Sequence, residues 1–332
     1  MEQHLAGLIG KSFIISLVVT LLLGPLTIPL LRRLKFGQNI RSDGPSRHMA
    51  KAGTPTMGGV MFLAGITVAT LLVTRQMEAI IVLVAIMGFG LIGLLDDFLK
   101  VVLKRSLGLR AREKLAGQIL LSGLVVSVAV TYFGRDTALT IPFAGLIFAD
   151  GTQVHLGFWL YLVFGILVIV GTANAVNLTD GLDGLAAGVT TTAAAAFVFV
   201  SLLSSQPGVA LVMAAVVGGC LAFLVYNRYP AKVFMGDTGS LALGGGLGAA
   251  AIITGTELFL LIIGGIYVIE ALSVIIQVIS FQIFGRRVFR MSPLHHHFEL
   301  GGWSENKVVF TFGVASVVLA LAGILGLQGL IQ

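Results

Sequence analysis

The sequence predicts an all-α polytopic membrane protein, and three observations predict it. Of its 332 residues 57% are hydrophobic and only 11% charged, against roughly 45–50% and about 25% in an ordinary soluble domain. Mean hydropathy is +1.01. The apolar residues gather into ten runs, at about 12–31, 57–74, 79–95, 115–133, 157–173, 185–203, 209–225, 241–256, 258–284 and 308–328; a spanning helix needs about 20 residues. A soluble globule is excluded because so little charge could not cover its surface, and a disordered chain because it would be polar. With no internal repeat or low-complexity stretch, residues 1–332 read as a single membrane domain.

The first run is preceded by Glu2 rather than a basic region and is closed by Arg32, Arg33 and Lys35. It therefore reads as a span with a stop-transfer cluster, not as a cleaved signal peptide. The basic residues then sort by face. The loops after runs 1, 3, 7 and 9 carry 18 of the 21 Lys and Arg, leaving only Lys11, Arg75 and Arg135 on the other side. The positive-inside rule makes the basic face cytoplasmic and places both termini outside. The net charge of +6 is thus a topology signal, with anionic-lipid contact as an addition, and not a mark of nucleic-acid binding. On the outer face, 75–78 and 204–208 are short turns. The stretch 134–156 reads as a β-hairpin with strands at 137–142 and 145–149 and a turn at Asp150-Gly151. The single Cys220 has no partner for an intramolecular disulfide.

Acidic residues locate the chemistry. Nine of fifteen carboxylates lie in or beside the inner loops: Asp43, Asp96, Asp97, Glu113, Asp180, Asp183, Asp237, Glu299 and Glu305. The loop after run 5, Asn-Ala-Val-Asn-Leu-Thr-Asp-Gly-Leu-Asp-Gly at 174–184, has two acids and no base. Such carboxylates at a membrane boundary are costly unless paired, hydrated or bound to a cation. Asp96 and Asp97 end run 3. Adjacent helical residues diverge by about 100°, so the pair faces one way only if the helix stops there. They read either as solvated helix-end charges paired with Lys100 or as a phosphate or metal site. Asp180 and Asp183 share a helix face, or Asp180 caps run 6 while Asp183 points into the site.

In Phe-Met-Gly-Asp-Thr-Gly-Ser at 234–240, small residues around Asp237 let a ligand approach, and a helix N-terminus attracts anions. A hard cation such as magnesium takes oxygen ligands and bridges to phosphates, which suits Asp237; a turn with an N-cap is the plainer reading. His295, His296 and His297 are consecutive, unlike the separated ligands of a zinc site, so a phosphate-facing or structural role fits them better. Lys51, in the turn-rich stretch 51–59, is either a topology charge or a site cation. Gly10-Lys11-Ser12 lacks the upstream glycine of a P-loop. Gly244, Gly245, Gly246 and Gly248 suit close helix packing. Glu270 lies deep in run 9, as either a functional acid or a buried, bonded one.

Five stretches, 51–59, Asp96-Asp97-Phe-Leu-Lys100, 174–184, 234–240 and Pro-Leu-His-His-His-Phe-Glu at 293–299, all fall on the inner face. In this order they resemble the phospho-N-acetylmuramoyl-pentapeptide-transferase family of the polyprenyl-phosphate N-acetylhexosamine-1-phosphate transferase superfamily. The His-His-His-Phe-Glu run and the Asn-Leu-Thr-Asp-Gly-Leu-Asp-Gly loop point to that branch rather than to transferases of UDP-N-acetylglucosamine. The resemblance implies ten transmembrane helices, an inner-face cleft, a homodimer in the bacterial cell membrane with its active site towards the cytoplasm, and a magnesium requirement. The substrates it implies are UDP-N-acetylmuramoyl-pentapeptide and the membrane lipid undecaprenyl phosphate, and the products lipid I and UMP.

It also implies roles. Asp237 is the magnesium ligand, Asp96 and Asp97 the essential carboxylate pair, and His295, His296 and His297 the functional histidine motif. Lys51 stands at the nucleotide-sugar site. Gly181, Leu182, Asp183 and Phe234 form a uridine pocket in which Phe234 stacks on uracil. Thr56, Asn177, Asp180 and Gly236 form the adjoining polar pocket, and Ser240 joins the substrate-binding set. A secondary transporter would carry its acids near the midplane, often within repeats, whereas here they sit at the inner rim.

Overall fold

The computed structural model describes residues 2–34, 53–101, 108–144 and 153–327. In chain order its elements are α1 (Glu2–Arg33), α2 (Gly59–Val73), α3 (Met77–Val101), α4 (Ala111–Thr131), β1 (Ala138–Thr140), β2 (Gln153–His155), α5 (Phe158–Thr179) and α6 (Leu185–Leu203). They continue with α7 (Pro207–Asn227), α8 (Gly236–Thr254), α9 (Glu257–Ile263), α10 (Gly265–Phe284), α11 (Leu294–Leu300) and α12 (Glu305–Leu325). Every apolar run is helical. Among the described residues eight helices are long and apolar enough to cross a membrane: α1, α3, α4, α5, α6, α7, α10 and α12. The 15-residue α2 is apolar but short.

Helix α8 sits at the centre, packed between α3 and α5, while α1, α2, α6 and α7 build the other flank. Nearly all of α8 is buried. Its glycine stripe allows this, because Gly244 and Gly248 lie on the α5 backbone at Ala173 and Ile169, and Gly245 and Gly246 on Phe89 and Ile86 of α3. The stripe is helix packing, as its composition suggested. Outward faces stay apolar, with Leu22, Leu26 and Leu30 on α1 and Leu120 and Leu124 on α4 exposed, as lipid contact requires.

One expectation needs correction. The outer hairpin exists, but β1 pairs antiparallel with 153–155, Ala138 opposite His155, so the second strand lies later than 145–149. Residues 145–152, with the expected Asp150-Gly151 turn, lie outside the described residues. Run 9 breaks at Gly264 between α9 and α10, where the Gly264-Gly265 pair allows a kink. Past the break α10 presents Ile275, Ile276, Val278, Ile279, Phe281 and Ile283 to the outside, an apolar helix with few protein neighbours.

Because α5 starts beside β2 and ends at 179, the hairpin and the 174–184 motif lie at opposite ends of the bundle. The hairpin end is tied by Arg135 and Tyr161, both of which reach the buried Glu257. The motifs collect at the other end.

Candidate active site

Helix α3 does not stop at the aspartate pair but runs on to Val101, so Asp96 and Asp97 diverge as helix geometry demands. What unites them is Asp237, at the start of α8. Carboxylate oxygens of Asp96, Asp97 and Asp237 all lie within 4.8 Å of one another. The approach is close because residue 93, one turn earlier on α3, is glycine: a β-carbon there would stand 2.1 Å from the Asp237 carbonyl oxygen.

The three acids do different work. Asp97 is buried and accepts the main-chain N–H groups of Asp237 (3.2 Å) and Thr238 (2.9 Å) and the Thr238 hydroxyl (2.7 Å). It therefore caps α8 from a neighbouring helix, satisfying N–H groups that a helix start leaves open. Asp96 accepts the Leu109 N–H (2.8 Å) and pairs with Lys100 at 2.5 Å. Asp237 accepts Asn177 Nδ2 on Oδ1 (2.9 Å), and on Oδ2 meets Lys114 (2.7 Å) and Lys100 (3.1 Å).

Lys100 and Lys114 are the residues that sequence reasoning undervalued. Lys100 stood only as a partner of the aspartates, and Lys114 only as one more inner-face base. The spacing of Asp96 and Lys100, four apart on one helix, is the legible signal for the first. Nothing in the sequence pairs Lys114 with Asp237, 123 residues away.

The remaining polar residues frame this centre. Asn177 also donates to Ser240 Oγ (2.8 Å), and the Ser240 hydroxyl donates to the Gly236 carbonyl (3.0 Å). Thr56 is buried beside Gly236, its Oγ1 2.9 Å from the position of a β-carbon on that residue. The 51–59 motif reaches the site by main-chain zipping: Phe234 N–H donates to Pro55 O (2.8 Å), Gly58 N–H to Phe234 O (2.9 Å) and Gly59 N–H to Met235 O (3.0 Å). Phe234 is half-buried beside this seam. Lys51 lies outside the described residues.

Asp180 stands at the C-terminal cap of α5, facing the Gly236 backbone. Burial, and then the nearby charges of Asp237, Asp97 and Asp183, push its carboxyl well above the ordinary carboxylate range. Leu182 is buried. Asp183 accepts the Ala231 N–H (2.9 Å), its own N–H donates to Glu305 (2.7 Å), and the Gly184 N–H donates to Asn227 (3.0 Å). The turn is thus bolted to the ends of α7 and α12.

His295 is buried against Gly181. The other two histidines are engaged within their own segment, His296 with Glu299 (2.8 Å) and His297 Nδ1 accepting the Arg290 N–H (3.1 Å). Of the histidine motif, the first ring lies against the 180–184 turn.

The centre suits a metal ion. Three carboxylates form an all-oxygen donor set of the kind hard cations take, with the Asn177 amide nitrogen holding Asp237. Lys100 and Lys114 place positive charge against Asp237 and Asp96. Asp97 is the poorest candidate ligand, since both its oxygens are occupied by α8; Asp96 and Asp237 turn oxygens to the lysine side.

The sequence profile of glycosyl transferase family 4 matches residues 79–255, and phospho-N-acetylmuramoyl-pentapeptide-transferase signature 1 matches residues 51–63. The chain is 63% identical over 325 residues to a phospho-N-acetylmuramoyl-pentapeptide-transferase of Pelotomaculum thermopropionicum, covering 98% of this chain and 100% of that one. It is 60% identical to the enzyme of that name from Desulforamulus reducens (95% and 94% covered) and 58% to that from Desulforudis audaxviator (95% and 97%). Identity this high along nearly the whole length places the chain within the phospho-N-acetylmuramoyl-pentapeptide-transferase family.

Proposed function

We propose that this chain transfers phospho-N-acetylmuramoyl-pentapeptide from UDP to undecaprenyl phosphate, forming lipid I and releasing UMP. The observation that carries this reading is the meeting of Asp96, Asp97 and Asp237 with Lys100 and Lys114 at the motif end of a membrane bundle. Two anionic substrates approach each other only where positive charge and fixed donors receive them. In this reading the motif end faces the cytoplasm, the bundle has ten spans with both termini outside, residues 1–332 act as one domain, and the enzyme works as a homodimer. The sorting of 18 of 21 basic residues to that face supports the orientation.

The lipid phosphate is a monoester whose second pKa is near 6, so it is mostly dianionic at neutral pH and needs no strong base. One of its oxygens attacks the β-phosphorus of the UDP-sugar. The bond from that phosphorus to the bridging oxygen breaks, and UMP leaves with the electron pair. Asp237, with Asp96 beside it, would hold Mg2+, which would neutralise diphosphate charge. Lys100 and Lys114 donate to phosphate oxygens, and Lys51 adds a further positive charge. Asp96 orients the attacking lipid phosphate. Asp97 keeps Asp237 in place through the start of α8. Phe234 stacks on uracil, with Gly181, Leu182 and Asp183 completing the uridine pocket. Thr56, Asn177, Asp180, Gly236 and Ser240 line the polar pocket beside it, and His295, His296 and His297 border the sugar side.

Purified protein given UDP-N-acetylmuramoyl-pentapeptide and undecaprenyl phosphate should release UMP with Mg2+ and stop in chelator. Release supported by UDP-N-acetylglucosamine and not by the muramoyl-pentapeptide would overturn the substrate assignment. Exchange of labelled UMP into the UDP-sugar without lipid would overturn direct attack in favour of an aspartyl-phosphate route.

A further inference from the structure

Glu270 and His295 form a polar pair for which the transfer chemistry leaves the glutamate no task. Both side chains are fully buried. Glu270 Oε1 lies 3.2 Å from the main-chain nitrogen of His295 and 3.2 Å from its ring Nδ1. The main-chain N–H donates to this oxygen; an ionised carboxylate only accepts, so against it the ring nitrogen that shares the oxygen carries the proton. In the neutral imidazole Nε2 is then the acceptor. That atom has no hydrogen-bond partner among the described residues, although a buried polar atom left unpaired is costly.

Its surroundings say where the partner comes from. A β-carbon on Gly181 would stand 2.2 Å from Nε2, so the ring edge lies directly on the 180–184 turn. That turn is fixed on its other sides, where Asp183 accepts the Ala231 N–H and the Gly184 N–H donates to Asn227. The His296 ring, 4.1 Å from that of His295 between centroids, limits the ring's freedom. The break at Gly264 separates α10 from α9, and the segment after α10 folds back so that α11 meets Glu270. Glu270 is therefore at the motif end of the bundle and not a midplane acid.

We propose that Glu270 is a positioning residue of the nucleotide-sugar site. It holds His295 with Nδ1 protonated and the ring plane fixed, so that Nε2 stands as an acceptor for a hydroxyl or N–H group of the UDP-sugar bound at the 180–184 turn. This inference rests on the transferase reading above.

The test uses the full chain in lipid nanodiscs, with Glu270→Leu, Glu270→Gln, His295→Asn and the Glu270→Leu/His295→Asn double variant. UMP release is followed while UDP-N-acetylmuramoyl-pentapeptide and undecaprenyl phosphate are varied in turn. Glu270→Leu should raise KM for the UDP-sugar about tenfold, the effect of one lost hydrogen bond, and leave KM for the lipid unchanged. Glu270→Gln, which keeps an acceptor oxygen, should recover most of that loss, and Glu270→Leu should add nothing in the His295→Asn background. With 15N-histidine, the resonances that vanish in His295→Asn should report a protonated Nδ1 in the parent and in Glu270→Gln. The proposal is overturned by unchanged KM values in Glu270→Leu, by equal changes for both substrates, by losses that multiply in the double variant, or by a proton on Nε2 in the parent. The spectrum needs no substrate and no folded Glu270→Leu protein. A parent that released no UMP would sink the transferase reading, while the tautomer would still decide whether Glu270 sets the ring.

Discussion

Gly93 and Asp237 meet where α3 and α8 press closest: the Asp237 carbonyl oxygen occupies space that any side chain at residue 93 would need, 2.1 Å from its β-carbon position. Gly93→Ala must push the start of α8 away from α3 and carry Asp237 out of reach of Asp96 and Lys100. We expect a loss of UMP release of about 100-fold or more, together with destabilisation of about 1–3 kcal/mol from overpacking. Gly88→Ala is the control on the same helix, because its β-carbon meets only the end of the Leu121 side chain, which can rotate aside. Activity and thermal midpoint of both variants in detergent check this.

Asp97 and Asp237 should separate in a thermal-shift titration. A ligand that binds only the folded protein raises its midpoint, so Mg2+ without substrate should stabilise the parent. Asp237→Asn should abolish that rise. Asp97→Asn should instead lower the midpoint before any metal is added, by an amount matching about 1–2 kcal/mol, since the new amide faces the N–H groups that the carboxylate accepts. Equal Mg2+ responses in the parent and in Asp237→Asn would contradict the assigned ligand.

Lys114 is one of two ammonium groups on Asp237. Lys114→Met should cut kcat about 100-fold, the usual effect of removing one donor aimed at developing charge. Steady-state rates at saturating concentrations of both substrates check it. A variant within threefold of the parent would reduce Lys114 to a topology charge.

Asp180 gives a pH prediction. Its carboxyl is held above the ordinary carboxylate range, so the folded state binds this proton more tightly than the unfolded chain does. The stability it confers is complete at low pH and is lost as pH rises through the folded-state value. Asp180→Asn, neutral at every pH, should therefore melt above the parent near pH 7. The difference should vanish below about pH 4. UMP release should fall at the same time, as stabilising changes at active sites tend to do. Melting curves across pH settle the sign.

Much of this was written in the chain itself. Ten apolar runs, the glycine stripe of α8 and the basic loops are local patterns: each follows from burial of apolar surface and from charge placed beside lipid, and needs no knowledge of distant residues. The five polar motifs are equally local, which is why the acids could be named. Their assembly was not. Asp96 and Asp97 point apart on a continuous helix and meet only because Asp237 arrives from α8, 140 residues on, at a glycine that leaves it room. Lys114, Glu305 and Asn227 entered the site through contacts that no spacing announces. The segment that folds back after α10 makes a deep membrane acid the partner of His295. Hydropathy and charge act residue by residue and survive in one dimension, whereas a phosphate-binding centre depends on distances of a few ångströms between helices, and only packing sets those.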